Sequence, residues 1–359
     1  MPARKLIPDL MAIDFLSTRR CNLKCKHCSV NAKFDEKIKV EKTEIDFDTF
    51  TRTVEDALPL GLKSVRITGG EPFLRSDIVD IISFLSEKTL NVSIETNATL
   101  INKQTAKALA SIGSLSVGIS LDGALSTTHD ALRGVPGAYE ATLEGIAHLQ
   151  DSSVCFYIIS CLHKKNLKEQ PALAKLADGL GATRVKYNVV RPVGRALKFN
   201  ERGHKVKVRH LQSAMRAQGW PKEKDLAAME PAFVPISGLG SHLATSICKI
   251  GNRIGLLDDG SLGVCHLAFS HSGLTYGHIN ESGLRQTWLG SHPILEVIRT
   301  KIPNRLEGVC KICVLRKYCR GRCRAIAFLL SGSFLAADDR CQEAFDEGYF
   351  PKSRLITEV

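Results

Sequence analysis

Three cysteines in the run CNLKCKHC, namely Cys21, Cys25 and Cys28, have the residue type and spacing for metal chemistry in this chain of 359 residues. Thiolates are the ligands that iron–sulfur clusters select, and the usual cubane takes four of them. The next cysteine is Cys155, so the run supplies only three. A cubane held by three thiolates keeps one iron open to something that is not protein, and an open iron implies reactivity. Zinc is the competing reading, with His27 as a possible fourth ligand. The gap from Cys21 to Cys25 is wrong for the paired knuckles of a structural zinc site.

The elements that must position this run follow from the pattern around it. From Ile13 to Pro192 short β-branched runs alternate with amphipathic segments, the pattern of repeated β-α units around a parallel sheet. The spacing predicts six strands, near Ile13–Arg19, Ser64–Thr68, Val92–Thr96, Leu115–Leu121, Val154–Ser160 and Arg184–Val190. Between them Phe47, Phe50, Val54 and Leu58 recur at helical spacing, as do Ile78, Ile81, Ile82 and Leu85, and Leu143, Ile146 and Leu149. In such folds functional groups gather at the carboxyl ends of the strands. CNLKCKHC follows strand one, Gly69–Pro72 (GGEP) strand two, Glu95–Asn97 ends strand three, Ser120–Gly123 (SLDG) strand four, and Arg191–Arg195 (RPVGR) follows strand six.

Past a connector over residues 196–240 the chain becomes cysteine-dense, with Cys248, Cys265, Cys310, Cys313, Cys319, Cys323 and Cys341. Cys155 and Cys161 remain; free cysteines are commonly small buried hydrophobes, and six residues apart on a strand they share a face.

The triplet spacing, with GGEP behind it, resembles the radical S-adenosylmethionine (radical SAM) superfamily. The later run, C, spacer, G-x4-C, gap, C-x2-C-x5-C-x3-C, gap, C, with YGHINESGLRQTW and CRGRCRA inside it, resembles the SPASM domain, although Arg322 stands where many relatives carry glycine. Together the two cover most of the chain. The resemblance implies an α/β fold, a partial (β/α)6 TIM-like barrel over residues 1–195, and a small SPASM domain over 241–359. It implies three [4Fe-4S] clusters, one on Cys21, Cys25 and Cys28 that binds SAM, and two auxiliary. By position Cys310, Cys313, Cys319 and Cys341 fill one auxiliary cluster, and Cys248, Cys265 and Cys323 hold the other. Lys249 to Val264 contains no eighth cysteine, so that cluster is open to substrate or takes Asp258, Asp259 or His266 as its fourth ligand. Gly69, Gly70 and Glu71 match the motif whose backbone carbonyls meet the SAM ammonium, glycine permitting the approach. Ser120 and Arg133 resemble the polar pair used for ribose and carboxylate, a surface salt bridge being the other reading of Arg133. Asn97, His129 and Asp130 fit capping or turn roles equally well.

The implied reaction is reductive cleavage of SAM to a 5′-deoxyadenosyl radical, with auxiliary clusters handling electrons and a reductant such as flavodoxin or ferredoxin supplying them. Relatives with this domain pair modify peptide or protein side chains, the commonest role and the first expectation, or trim the side chains of haem-like tetrapyrroles. A non-catalytic cluster or zinc protein is the third reading. About twenty residues precede Cys21, so a peptide substrate implies a separate recognition protein.

Composition sets the remaining bounds. Hydrophobic residues make up 44% and charged residues 24%, which is globular. The N-terminus carries no signal-peptide pattern and no apolar run approaches a membrane span, so a cytoplasmic protein without a membrane role is expected. Twelve cysteines there point to metal ligation rather than disulfides. The net charge of +12 is not a nucleic-acid signal. Ten thiolates around three cubane cores would lower it by about four, and the basic stretch Lys198 to Arg216 has helical spacing and one aromatic, Phe199.

Overall fold

The computed structural model describes residues 7–34, 44–218, 230–234 and 248–356. Six parallel strands follow one another in chain order: β1 (Ala12–Leu16), β2 (Ser64–Thr68), β3 (Asn91–Thr96), β4 (Leu115–Ser120), β5 (Phe156–Leu162) and β6 (Val185–Val189). They are the parallel sheet of the expected partial barrel. Each is joined to the next by helix on the outside, the connection that parallel pairing requires. Helix α1 (Phe47–Ala57) shows how the sequence sets this up. Asp46 caps it by accepting from the Thr49 backbone N–H at 2.8 Å, and Phe50, Val54 and Ala57 bury one stripe against the sheet, the Phe50 ring 4.5 Å from that of Phe15 on β1.

The second, third, fourth and sixth strands match the predicted bounds to within one residue; the first ends at Leu16 rather than Arg19, and the fifth starts at Phe156 rather than Val154. Ser153 adopts a positive φ of 57° and turns the chain out of the preceding helix, delaying the strand. Cys155 therefore precedes the strand and is exposed, contrary to the buried role expected for it, while Cys161 lies within β5.

The cysteine-dense region shares this sheet. Strand β7 (Arg253–Leu256) pairs parallel with β1, Ala12 opposite Arg253 and Phe15 opposite Leu256; β8 (Ser261–Gly263) and β9 (Thr275–His278) continue antiparallel, so that this sheet has nine strands among the described residues. Gly255 permits this close packing, because a Cβ there would lie 2.5 Å from the Cys265 carbonyl. One buried apolar cluster runs from Leu10 on the barrel side to Phe350.

Of the expected connector, residues 219–229 and 235–240 lie outside the described residues. The rest packs against the C-terminal region: Lys205 pairs with Glu343 on the helix Asp339–Asp346, and Lys207 with Glu347 at its C-cap. Part of the basic stretch thus meets acidic groups of the same chain. Among the described residues no helix is long and apolar enough to cross a membrane.

Candidate functional site

The loop carrying Cys21, Cys25 and Cys28 leaves the end of β1 and is held from several sides. Its residues Arg20–Cys21 pair with Lys33–Phe34. The GGE turn after β2 docks beneath it: the Gly70 N–H donates to the Thr18 carbonyl at 2.7 Å and the Glu71 N–H to the Arg20 carbonyl at 2.8 Å. A Cβ on Gly69 would lie 2.6 Å from the Thr18 carbonyl oxygen, and one on Gly70 would overlap the Arg20 carbonyl, so only glycine fits at either position. From the far side Arg195 donates to the carbonyls of Cys25 at 2.8 Å and Ala32 at 2.6 Å, and its N–H to that of Cys28 at 3.0 Å. Gly194, at φ 59°, allows this approach, a Cβ there falling 2.6 Å from the Cys28 carbonyl.

Each thiol of the triplet also receives a hydrogen-bond donor. The Leu23 N–H reaches Cys21 Sγ at 3.4 Å, Arg133 Nη1 reaches Cys25 Sγ at 3.7 Å, and the Ala32 N–H reaches Cys28 Sγ at 3.3 Å. Such donors favour thiolate and tune a cluster bound to it. Burial, reinforced by Glu71 and the neighbouring Cys25, pushes the Cys21 thiol up to about 12, a penalty that a cationic iron core relieves.

Glu71 does not face the cavity. Its carboxylate is fully buried and accepts from Thr96 Oγ1 at 2.6 Å and from the backbone N–H groups of Asn97 at 2.8 Å and Phe73 at 3.2 Å. Its side chain fastens the glycine turn to the end of β3, while the backbone of the turn stays on the cavity side. Asn97 extends the brace through Nδ2 to Asn22 Oδ1 at 2.9 Å. Asp130 accepts from the N–H groups of Gly137 and Tyr139, a capping role. His129 is buried, its Nδ1 accepting from the Asp122 N–H at 3.2 Å.

These groups open on one cavity of about 510 Å³, lined by Cys21, Cys25, Cys28, Gly69, Gly70, Ser120 and Arg133, and also by Cys161, Cys248, His266 and Cys323. The sequence pair Ser120 and Arg133 is thus brought together there. Arg133 is already engaged, with Nη2 2.7 Å from Asp122 Oδ2, and so is a buried pair rather than a surface one. Among the described residues six cations line the cavity, Arg66, Arg133, Lys186, Arg191, Arg195 and Arg322, against two carboxylates, Glu95 and Glu230; all but Arg195 are ion-paired, Arg133 and Arg191 with Asp122, Asp338 and Asp339 just behind the wall.

The floor carries a ladder of alternating charge that the sequence pattern did not reveal. Arg253 on β7 pairs with Asp14 on β1 at 2.8 Å, Asp14 with Arg66 on β2 at 3.0 Å, Arg66 with Glu95 on β3 at 3.6 Å, and Glu95 with Lys186 on β6 at 2.9 Å. Although burial opposes ionisation of Asp14, Arg66 and Arg253 hold it far below the usual carboxylate range. Lys186 and Arg66 likewise bring Glu95 down to about 2.

The SPASM-like cysteines divide into two places. Cys310, Cys313, Cys319 and Cys341 line one small pocket together with Asp338. Burial pushes Cys310 up to about 12 and Cys319 to about 11. Cys248 and Cys323 line the main cavity instead, and the Cys265 thiol lies close enough to push the Cys248 thiol up and to be pushed up itself by Cys323. Cys248 and Cys323 share a hydrogen bond, which lowers the Cys323 thiol and raises that of Cys248.

Residues 15–177 match the model of the radical SAM superfamily. The chain belongs to that superfamily. It is a radical SAM enzyme, and its cysteine-rich C-terminal region fits the SPASM pattern. An AdoMet-dependent haem synthase of Methanosarcina barkeri is 29% identical over 348 residues, 93% of this chain and 96% of that protein. Mycofactocin maturase MftC of Mycolicibacterium smegmatis is 27% identical, over 94% of this chain and 84% of its own length. Streptococcus suis SuiB bound to precursor peptide SuiA superposes with a TM-score of 0.69 at 18% identity, over 93% of this chain and 76% of SuiB, a likeness of fold.

Membership in the radical SAM superfamily carries a four-iron cluster and SAM, and the donor set fits both. Three free thiols, each with a donor, face a cavity whose wall is a glycine turn. Of the three candidates for a fourth ligand near Cys248, two point elsewhere. Asp258 pairs with Arg19 at 2.9 Å and Asp259 lies 3.9 Å from the same guanidinium, and neither lines the cavity. His266 does line it.

Proposed function

We propose that this radical SAM enzyme oxidises a side chain of a carboxylate-bearing tetrapyrrole. The observation that carries the reading is the cavity itself, in which six cations and two carboxylates surround the space between two three-cysteine sets. Cationic walls suit a substrate with several carboxylates, since each charge-assisted hydrogen bond also fixes orientation. The similarity to a haem synthase over nearly the full length of both chains supports the same reading. From sequence alone a peptide came first; the charge of the cavity reverses that order.

In this reading Cys21, Cys25 and Cys28 hold the SAM-binding cluster. Gly69, Gly70 and the Glu71 backbone receive the SAM ammonium, and Ser120 and Arg133 its ribose and carboxylate. Cys310, Cys313, Cys319 and Cys341 hold one auxiliary cluster and Cys248, Cys265 and Cys323 the other, for three in all. When bound, the first cluster and SAM would supply 5′-deoxyadenosyl radical chemistry for hydrogen-atom removal, and an auxiliary cluster would supply an acceptor for the second electron of an oxidative outcome. Arg66 and Lys186, rigid within the ladder, orient the substrate's carboxylates beneath that chemistry. The triplet and glycine turn belong to the barrel, residues 1–195, and the auxiliary sets to residues 241–359. A flavodoxin or ferredoxin in a reducing cytoplasm fits the electron requirement and keeps the thiols available.

The test is anaerobic turnover of the reconstituted protein with SAM, dithionite and an iron porphyrin bearing free propionates. The expected result is substrate-stimulated 5′-deoxyadenosine together with carbon dioxide and a porphyrin of correspondingly lower mass. An unaltered porphyrin removes this reading. A peptide substrate is the second reading, supported by the similarity to a mycofactocin maturase; modification of a co-encoded precursor peptide under the same conditions would establish it.

A further inference from the structure

His266 follows Cys265 directly and lines the cavity beside Cys248 and Cys323, which makes it the natural candidate to complete their cluster. Its hydrogen bonding argues otherwise. Arg66 Nη2 lies 2.9 Å from His266 Nδ1. A guanidinium has only donors, so Nδ1 must be the accepting nitrogen and the ring proton must sit on Nε2. Arg66 cannot turn away to release Nδ1. Its Nε donates to Asp14 Oδ1 at 3.0 Å, its Nη2 also lies 3.0 Å from Asp14 Oδ2, and Asp14 is in turn fixed by Arg253. The two hydrogens on Nη2 account for both the carboxylate and the imidazole. Asp14 Oδ2 stands 4.0 Å from Nδ1, too far to claim a proton from it. A protonated Nε2 has no lone pair to offer iron, and Nδ1 has already spent its own.

We propose that His266 presents an Nε2–H to the cavity as the hydrogen-bond donor for an anionic group of the substrate, and that the Cys248–Cys265–Cys323 set keeps an open position. The ligand class is a carboxylate. With Arg66 behind the imidazole and Lys186 held by Glu95 on the same floor, the donor sits in a positive field that favours an anion. A docked carboxylate then lies between the auxiliary set and the SAM side of the cavity, where the substrate radical left by loss of a hydrogen atom would be within reach of an electron acceptor held by the former. The choice of a tetrapyrrole as bearer of that carboxylate rests on the function proposed above; the tautomer of His266 does not.

Two measurements on the reconstituted holoprotein separate these claims. The first uses no substrate: His266→Ala and His266→Gln are compared with wild type for iron content and for the electron paramagnetic resonance of the reduced auxiliary clusters. Unchanged iron and unchanged spectra are expected, whereas loss of about four irons or a shifted signal in His266→Ala identifies the residue as a ligand and overturns the proposal. The second is binding, by equilibrium dialysis of labelled benzoate and by the visible spectrum of an added propionate-bearing iron porphyrin. His266→Ala should weaken binding about tenfold, the worth of one hydrogen bond to a charged group. His266→Gln, whose amide places N–H near the position of Nε2–H, should restore most of it. Equal affinity in wild type and His266→Ala, or no binding of either probe, overturns the donor role. Binding of benzoate that depends on His266, without binding of porphyrin, keeps the donor and removes the tetrapyrrole.

Discussion

The cysteine sets of this protein differ in where they face, and the difference follows their number. Cys310, Cys313, Cys319 and Cys341, four thiols, close on a small pocket of their own. Cys21, Cys25 and Cys28 open on the large cavity, as do Cys248 and Cys323 with Cys265 at their side. A complete set of four can store or pass an electron without meeting substrate, whereas a set of three has reason to face the space where small molecules bind. The supports differ as well. The N-terminal triplet sits on one short loop, fixed by a glycine turn and by Arg195. The C-terminal sets are gathered from distant segments, Cys310, Cys319 and Cys341 from short helices, and held among buried ion pairs, such as Glu230 with Arg340 at 2.5 Å and with Arg322 at 2.9 Å.

The largest expected effect tests whether the sets are independent. Replacing Cys21, Cys25 and Cys28 together by alanine should abolish 5′-deoxyadenosine formation with dithionite and remove about four of about twelve irons. The auxiliary signals should remain, because no C-terminal cysteine depends on that loop. Cys310→Ala should do the reverse, losing about four irons while SAM cleavage persists and substrate oxidation falls. Stoichiometric zinc in place of the auxiliary iron would erase the distinction between the sets.

A smaller effect tests the glycine cradle. Gly70→Ala drives a Cβ into the Arg20 carbonyl, and neither backbone can yield without displacing the cysteine loop. SAM cleavage should drop at least about tenfold, with a stability loss of about 2 kcal/mol, while the auxiliary iron is retained. Gly179→Ala is the control, since nothing lies within 4 Å of its added Cβ. Equal behaviour of the two variants would mean that the turn does not position the triplet.

The sequence read the N-terminal half better than the C-terminal half, for identifiable reasons. Strands β1 to β6 are β-branched runs of five to seven residues flanked by helical periodicity, so position and order could be read directly. Arg253–Leu256 and Ser261–Gly263 are short and contain glycine, and the pairing of the first onto β1 joins residues some 240 apart, which no local pattern encodes. Asp14, Arg66 and Lys186 carry no signal in the strand pattern, and Glu95 stood out only as part of a strand end. Inside a barrel those positions face one another, so the ladder appears only once the sheet is closed. Arg195 was legible as part of RPVGR at a strand end, but its task of clamping the cysteine loop depends on a contact across 170 residues. Asp258 and Asp259 were two of the alternatives for a fourth ligand, beside His266 and an open position, and Arg19 engages both.

The smallest effect concerns acid. Behind the triplet the barrel buries, besides its ion pairs, histidines that burial holds neutral. Burial, helped by Arg133 and opposed by Asp122, brings His129 down to about 4; burial likewise brings His163 to about 4. A histidine whose folded value lies below its unfolded value of about 6.5 binds its proton more readily in the unfolded chain. Its contribution is therefore full above that pH and is lost as pH falls toward 4. For His129 the window corresponds to at most about 3 kcal/mol. The barrel should accordingly loosen before the C-terminal region between pH 6.5 and 4, which amide exchange measured element by element can read. His129→Gln removes the titrating group but loses some packing, so it should be less stable than wild type at pH 7 and show a flatter decline on acidification. A decline of unchanged steepness in that variant would place the acid sensitivity elsewhere, and uniform exchange across both regions would show that one cooperative sheet overrides the contrast between them.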